Sequence, residues 1–269
     1  MLGSSRDSLT ALQAMVASKS GDEGFASAAA DLLQVVSALS ADKSLRTALA
    51  DSGQPAAGRE SLVRELFGSR ISALATDIVV AAAGSRWTSP DDFVEAVEAL
   101  AAQIVFADAE KRGELDRVEE EIFLFGRAAD ANPELQMALT NPALTGEAKA
   151  SVVQDVLAGR AAEGARVLLA HTAANLRGRR VDVALKSLSD IAASQRNRVV
   201  ADVRVAIALT DDQATRLAAV LGRLAGKHVS LNVVVDPSIL GGVSVRLGGE
   251  VIDGTIASRL ELARRSLVS

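Results

Sequence analysis

Shifted by ninety positions, the first two-thirds of this sequence lies over itself without a gap. Phe25 meets Leu115, Leu45 meets Leu135, Leu49 meets Leu139, Val63 meets Val153 and Arg70 meets Arg160. Conservative matches fall between them, among them Leu66 with Val156, Ile78 with Leu168 and Val79 with Leu169. An alanine-rich chain gives some such matches through composition alone. Large apolar positions that stay in step over so long a stretch instead predict a duplicated structural unit.

Each copy reads as a helical bundle. Phe93, Val97, Leu100 and Ile104 keep helical spacing, and Ser89-Pro90-Asp91-Asp92 supplies an N-cap, a first-turn proline and acids suited to the helix dipole. This helix runs on to Arg112, so the last helix of copy one is also the first of copy two. In the second copy Leu115, Val118, Ile122 and Phe125 form one stripe, and Val181, Ala184, Leu188 and Ile191 another. Asn132-Pro133 opens a helix and Arg177-Gly178 closes one.

The period changes at Val199. Val203, Val205, Ile207 and Leu209 alternate with Arg204, Ala206 and Ala208, which predicts a strand. Thr210-Asp211-Asp212-Gln213 is a capping box before a helix lined by Leu217, Val220, Leu221 and Leu224. Strands follow near 229–235 and 243–247, with Val233, Val235, Val243, Val245 and Leu247 on one face and Ser244 and Arg246 on the other. A last helix carries Ile256, Leu260, Ala263 and Leu267. The expected fold class is therefore α+β: two tandem all-helical bundles, 1–100 and 101–197, followed by a small α/β module, 198–269.

With 49% hydrophobic residues the chain can bury several cores. It has no cysteine and two histidines, which removes thiolate metal sites and leaves no polyhistidine site. Lys and Arg number 29 against 34 Asp and Glu, and aromatics make up 3%, so neither a phosphate backbone nor stacked bases are suited partners. No apolar run approaches the ~20 residues of a membrane span, so any membrane association is through partners.

The sites that invite chemistry have plainer readings. Gly222 to Lys227 lacks the spacing and the Ser or Thr of a phosphate loop and lies at a helix C-terminus, where the dipole repels phosphate. His171 sits in an apolar helix with no nucleophile in view and reads as a satisfied or half-exposed helix histidine. Glu119-Glu120-Glu121 diverge by about 100° per residue and cannot converge on one ion. Arg264-Arg265 suits the last turn of a helix. No catalytic, metal or cofactor residue is nominated.

The segment from Val233 to Leu260 orders strand, turn, strand, turn and helix, and carries Val235-Asp236-Pro237, Gly241-Gly242, Val251-Ile252-Asp253-Gly254-Thr255 and Arg259-Leu260. Upstream stand Glu110-Lys111-Arg112-Gly113-Glu114-Leu115-Asp116, Asn132-Pro133-Glu134-Leu135 and Asn141-Pro142-Ala143-Leu144. This series resembles the delta subunit of F-type ATP synthases, the family that includes the mitochondrial oligomycin-sensitivity-conferring protein. The likeness runs from about residue 96 to the C-terminus, and nearly a hundred residues precede it. Asp236, Pro237, Gly241, Gly242, Asp253, Gly254 and Arg259 are its signature positions.

The resemblance implies a non-catalytic stator subunit on the cytoplasmic face of the cell membrane, joining the catalytic head to the peripheral stalk. It implies that a bundle grips the N-terminal helix of an alpha subunit between its first and fifth helices. In copy two that nominates Leu100, Ile104, Leu168 and Leu169. It further implies that the C-terminal module binds the C-terminal region of the b subunit. A free-standing helical adaptor and a nucleotide-binding enzyme are the competing classes.

Overall fold

In the computed structural model, residues 3–196, 198–237, 239, 241–247 and 250–253 are described. They form two compact units, one of residues up to Val16 with Ser20–Gln195, the other of Ala17–Lys19 with the residues from Arg196 onward.

The first unit is all helical: α1 (Ser4–Ser18), α2 (Phe25–Ala41), α3 (Lys43–Ala50), α4 (Ala56–Phe67), α5 (Ala73–Gly84), α6 (Pro90–Lys111), α7 (Leu115–Ala131), α8 (Pro133–Thr140), α9 (Gly146–Leu157), α10 (Glu163–Ala174) and α11 (Val181–Arg196). The helices α2 to α5 and α7 to α10 correspond at both ends with the ninety-residue offset read in the sequence. The repeat extends to the devices that start the helices. Asp42 caps α3 by accepting from the amides of Ser44 and Leu45, and Asn132 caps α8 by accepting from those of Glu134 and Leu135. Ninety positions apart again, Asp31 accepts from the Ser72 amide at 2.8 Å and Glu121 from the Ala162 amide at 2.7 Å. Each carboxylate thus satisfies a backbone donor just before a helix that has no partner of its own.

These caps carry a measurable share of a short helix. Since α8 has 8 residues, Asn132→Ala should lower stability by about 1 kcal/mol in urea unfolding. An unchanged midpoint would mean that the two amides find water without loss.

Two hydrophobic clusters fill the helical unit. The first joins Leu32, Leu39, Leu49, Ile78 and Phe93 with Leu100 and Ile104; the second joins Phe106, Ile122, Leu139 and Val153 with Leu168 and Leu169. Helix α6 supplies both, and a domain limit at 100/101 falls inside it. Its sequence allows this because apolar residues occupy more than one stripe: Val97, Leu100, Ala101 and Ile104 are buried in the first cluster, Ala102, Phe106 and Ala109 in the second.

The second unit has β1 (Arg198–Val205), α12 (Asp211–Ala225), β2 (His228–Val235), β3 (Val243–Leu247) and β4 (Glu250–Asp253), with sheet order β2-β1-β3-β4. β1 and β2 are parallel and joined through α12, whereas β3 runs antiparallel to β1 and β4. The capping box at Thr210 and Gln213 forms as read, and α12 ends on Gly226 at φ 64, the left-handed conformation in which glycine bears no Cβ penalty. That places Gly222 to Lys227 in a helix-ending turn. Ala201, Val203, Val205, Leu221 and Val245 make the core. The expected strand stops short: the Val205 carbonyl takes the amide of Asp236, the chain bends, and Ile207 is left 80% exposed.

Candidate interaction site

Polar side chains converge where the two repeats meet. Glu98 lies in an otherwise apolar stretch of α6 and is 8% exposed. Its carboxylate accepts from Arg177 Nη2 at 2.6 Å and from Arg179 Nη2 at 3.0 Å, both from the turn after α10. Arg177 holds this position in the left-handed region at φ 52, unusual for a residue with a Cβ. The same turn reaches α2 of the first repeat, since Arg177 Nη1 lies 3.5 Å from Ser40 Oγ and Asn175 Nδ2 donates to Ser37 Oγ at 3.3 Å. Four elements, α2, α6, α10 and the turn, therefore share one buried network.

Its electrostatics follow from burial and pairing. Burial alone raises the Glu98 carboxyl, but the two guanidiniums outweigh that and hold it below the usual carboxylate range. His171 lies beside them, its Nε2 3.9 Å from Glu98 Oε1 and itself without a hydrogen-bond partner. Burial pushes its imidazole down to about 4, the two arginines adding to the effect and Glu98 opposing it. The histidine is thus neutral at pH 7 and half satisfied, its Nδ1 lying 3.4 Å from Asn175 Nδ2 while Nε2 has no partner. It has no nucleophile to serve, and among the described residues no group of three His, Asp or Glu could hold a metal. In the Glu119 to Glu121 run, Glu121 pairs with Arg117 and accepts from the Ala162 amide ahead of α10, while Glu120 is exposed.

The four nominated docking residues are inside the protein. Leu100 and Ile104 are 0% exposed and belong to the first cluster; Leu168 and Leu169, at 2% and 1%, belong to the second. The shared helix explains this. As the last helix of the first bundle, α6 buries the side on which a lone second bundle would present Leu100 and Ile104. Leu168→Asp would put a carboxylate into the core and so tests folding, not docking.

A cleft of about 320 Å³ does open on the helical unit between α1, α6 and α11. Leu9, Ala99, Leu188 and Ile191 line it, with Arg6 and Asp190 also on its wall. Of the signature positions, Asp236 and Pro237 follow β2, and Gly241 and Gly242 precede β3 at φ 147 and 89, values that favour glycine. Asp253 ends β4 opposite Ser244. Gly254 and Arg259 lie outside the described residues, as do Gly248-Gly249, Arg264-Arg265 and the predicted helix carrying Ile256, Leu260, Ala263 and Leu267.

The junction residues Glu98, Asn175, Arg177 and Arg179 escaped the sequence reading. A signal for them exists in the repeat. Ninety positions earlier stand Ser8, Ser85, Trp87 and Ser89, so the charges of the network belong to the second copy alone.

Comparison with known proteins gives a consistent result. The family model described as "ATP synthase delta (OSCP) subunit" matches residues 97–267. The chain is 41% identical over 273 residues to the ATP synthase subunit delta of Streptomyces coelicolor, covering 100% of this chain and 99% of that one. It is 42% identical to that of Streptomyces avermitilis over 89% of this chain and 88% of the other, and 39% identical to that of Nocardia farcinica over 91% of each. The leading hundred residues, which fall before the family model, are therefore shared with full-length relatives.

Proposed function

The chain belongs to the ATP synthase delta (OSCP) subunit family, and on that premise we propose that its helical unit grips the catalytic head while its C-terminal unit grips the stalk. As a member it is a non-catalytic, peripheral-stalk subunit of an F-type ATP synthase. No helix among the described residues is long and apolar enough to cross a membrane. The proposed place on the cytoplasmic face is one it holds through the subunits it joins. The mechanical task is to stop the head from turning with the central shaft. A connector for that task must transmit load through packed surfaces, and α6 is suited to it because one unbroken helix contributes to both hydrophobic clusters.

The alpha subunit's N-terminal helix is the proposed ligand of the helical unit, and the b subunit's C-terminal region that of the sheet unit. For the first, the cleft between α1, α6 and α11 takes the place of the buried leucines. Its floor is aliphatic and its wall carries both charges, which suits an amphipathic helix laid in a groove. The observation that carries the overall reading is the family match across 97–267.

Two experiments test it at different depths. Stripping the full chain from the membrane-bound complex should leave ATP hydrolysis by the head but abolish proton pumping, and adding it back should restore pumping; pumping that survives its removal overturns the stator role. Ser187 is exposed and lines the cleft, so Ser187→Trp fills it without touching either core. Calorimetry with a peptide of the alpha N-terminus should then show at least a tenfold loss of affinity. Equal affinity would remove the cleft from the account.

A further inference from the structure

Among the described residues, one face of the second bundle is exposed that the repeat would lead one to find covered. In the first bundle, Leu33, Ser37 and Ser40 stand one turn apart on α2, and that face lies against the second bundle through the Ser37 and Ser40 contacts with Asn175 and Arg177. Leu33 is 6% exposed and belongs to the first cluster. Ninety positions on, the same face of α7 carries Phe123, Arg127 and Asp130, and no third bundle follows it. Phe123 is 59% exposed and its neighbour Leu124 53%, while Arg127 and Asp130 are exposed as well.

The other end of the array is finished differently. On α6, Val97, Leu100, Ala101 and Ile104 are buried by the first bundle; their counterparts on α1 are Asp7, Thr10, Ala11 and Ala14, all exposed and all small or polar. That is how a repeat array ends at solvent. α7 does the opposite. Where the first bundle shows solvent Gln34, the second shows Leu124, and where the first buries Leu33 in its cluster, the second sets out the larger Phe123.

We infer that the Phe123–Leu124 face of α7 is a second docking surface, occupied in the assembled enzyme by an amphipathic helix of another synthase subunit. This rests on the peripheral-stalk role given above. The charges on α7 define the occupant further. Glu120 lies one turn before the apolar pair and Arg127 one turn after it, both exposed and neither ion-paired among the described residues. The matching helix presents aliphatic side chains to Phe123 and Leu124, a Lys or Arg opposite Glu120 and an Asp or Glu opposite Arg127.

The test uses the full chain in its complex. A photo-reactive phenylalanine analogue at position 123 should cross-link to a helical segment of a different synthase subunit with that charge order. Phe123→Glu with Leu124→Glu should leave the thermal midpoint of the isolated chain unchanged and reduce its retention in the salt-washed complex at least tenfold. If that variant does not fold, Phe123→Gln with Leu124→Gln, which repeats the exposed Gln34 of the first bundle, provides the same readout. A cross-link to a second copy of this chain, to its own C-terminal unit or to nothing overturns the inference, as does retention at the wild-type level. None of those results touches the stator role, which the loss of pumping on removal of the whole chain tests separately.

Discussion

Glu98→Ala is expected to lower the unfolding free energy of the chain by about 3–5 kcal/mol, the cost of breaking a buried ion pair from one side. Two guanidiniums would stay behind with no carboxylate, Arg177 at 10% and Arg179 at 19% side-chain exposure. Neither can turn to water without giving up the contacts that tie the turn to α2 and α10. The Glu98 bond also helps hold Arg177 in a left-handed conformation that costs about 1 kcal/mol or more. Urea unfolding of the two proteins measures the difference. Asp190→Ala is the control: it breaks the Lys186–Asp190 pair, in which both side chains are more than half exposed, and should change stability by under about 1 kcal/mol. A Glu98 effect as small as that control would mean that the arginines are solvated in the folded protein. If instead the loss comes from stranded charge, Glu98→Ala combined with Arg177→Leu should recover part of it, since replacing both partners removes the charge as well as the pair.

The same cluster shows what a sequence can and cannot disclose about this fold. Periodicity gave the helices because each must bury one stripe, and a stripe is written at fixed spacing: Leu115, Val118, Ile122 and Phe125 are all buried as read. Caps were legible for a similar reason, since Asn132, Ser89 and Thr210 act within three residues of themselves. The signature glycines Gly241 and Gly242 were recognisable from backbone need alone.

Docking residues were not legible. Apolar spacing marks Leu100, Ile104, Leu168 and Leu169 as belonging to an interface, but it is silent on whether the opposing surface belongs to a partner or to the same chain. Here the duplication supplies that surface in cis for Leu100 and Ile104, by making α6 the last helix of one bundle and the first of the next. Ile207 was misread for the converse reason, because alternation continued in the sequence past Val205, where β1 ends. The Glu98 network needed contacts across 79 and 81 residues, which no local pattern encodes.

Acid should loosen the junction through His171 before it reaches the carboxylate. In the unfolded chain the imidazole takes up a proton near its ordinary 6.5, whereas in the folded chain it does so only near 4. Between those values the unfolded state binds more protons, so stability is undiminished above about pH 6.5 and falls as pH drops toward 4. At about 1.4 kcal/mol per pH unit the total loss is about 3 kcal/mol. Glu98 acts in the same direction at lower pH: its folded value is depressed, so its contribution is present above the ordinary carboxylate range and is lost as pH falls through the folded value. His171→Leu should therefore flatten the stability profile between pH 6.5 and 4.5 and leave the steeper loss below it. Comparison with the parent protein isolates the effect from His228, which both proteins retain. Equal slopes in the two proteins would show that His171 takes up its proton in the folded state, either by reaching water or by closing the 3.9 Å gap to Glu98.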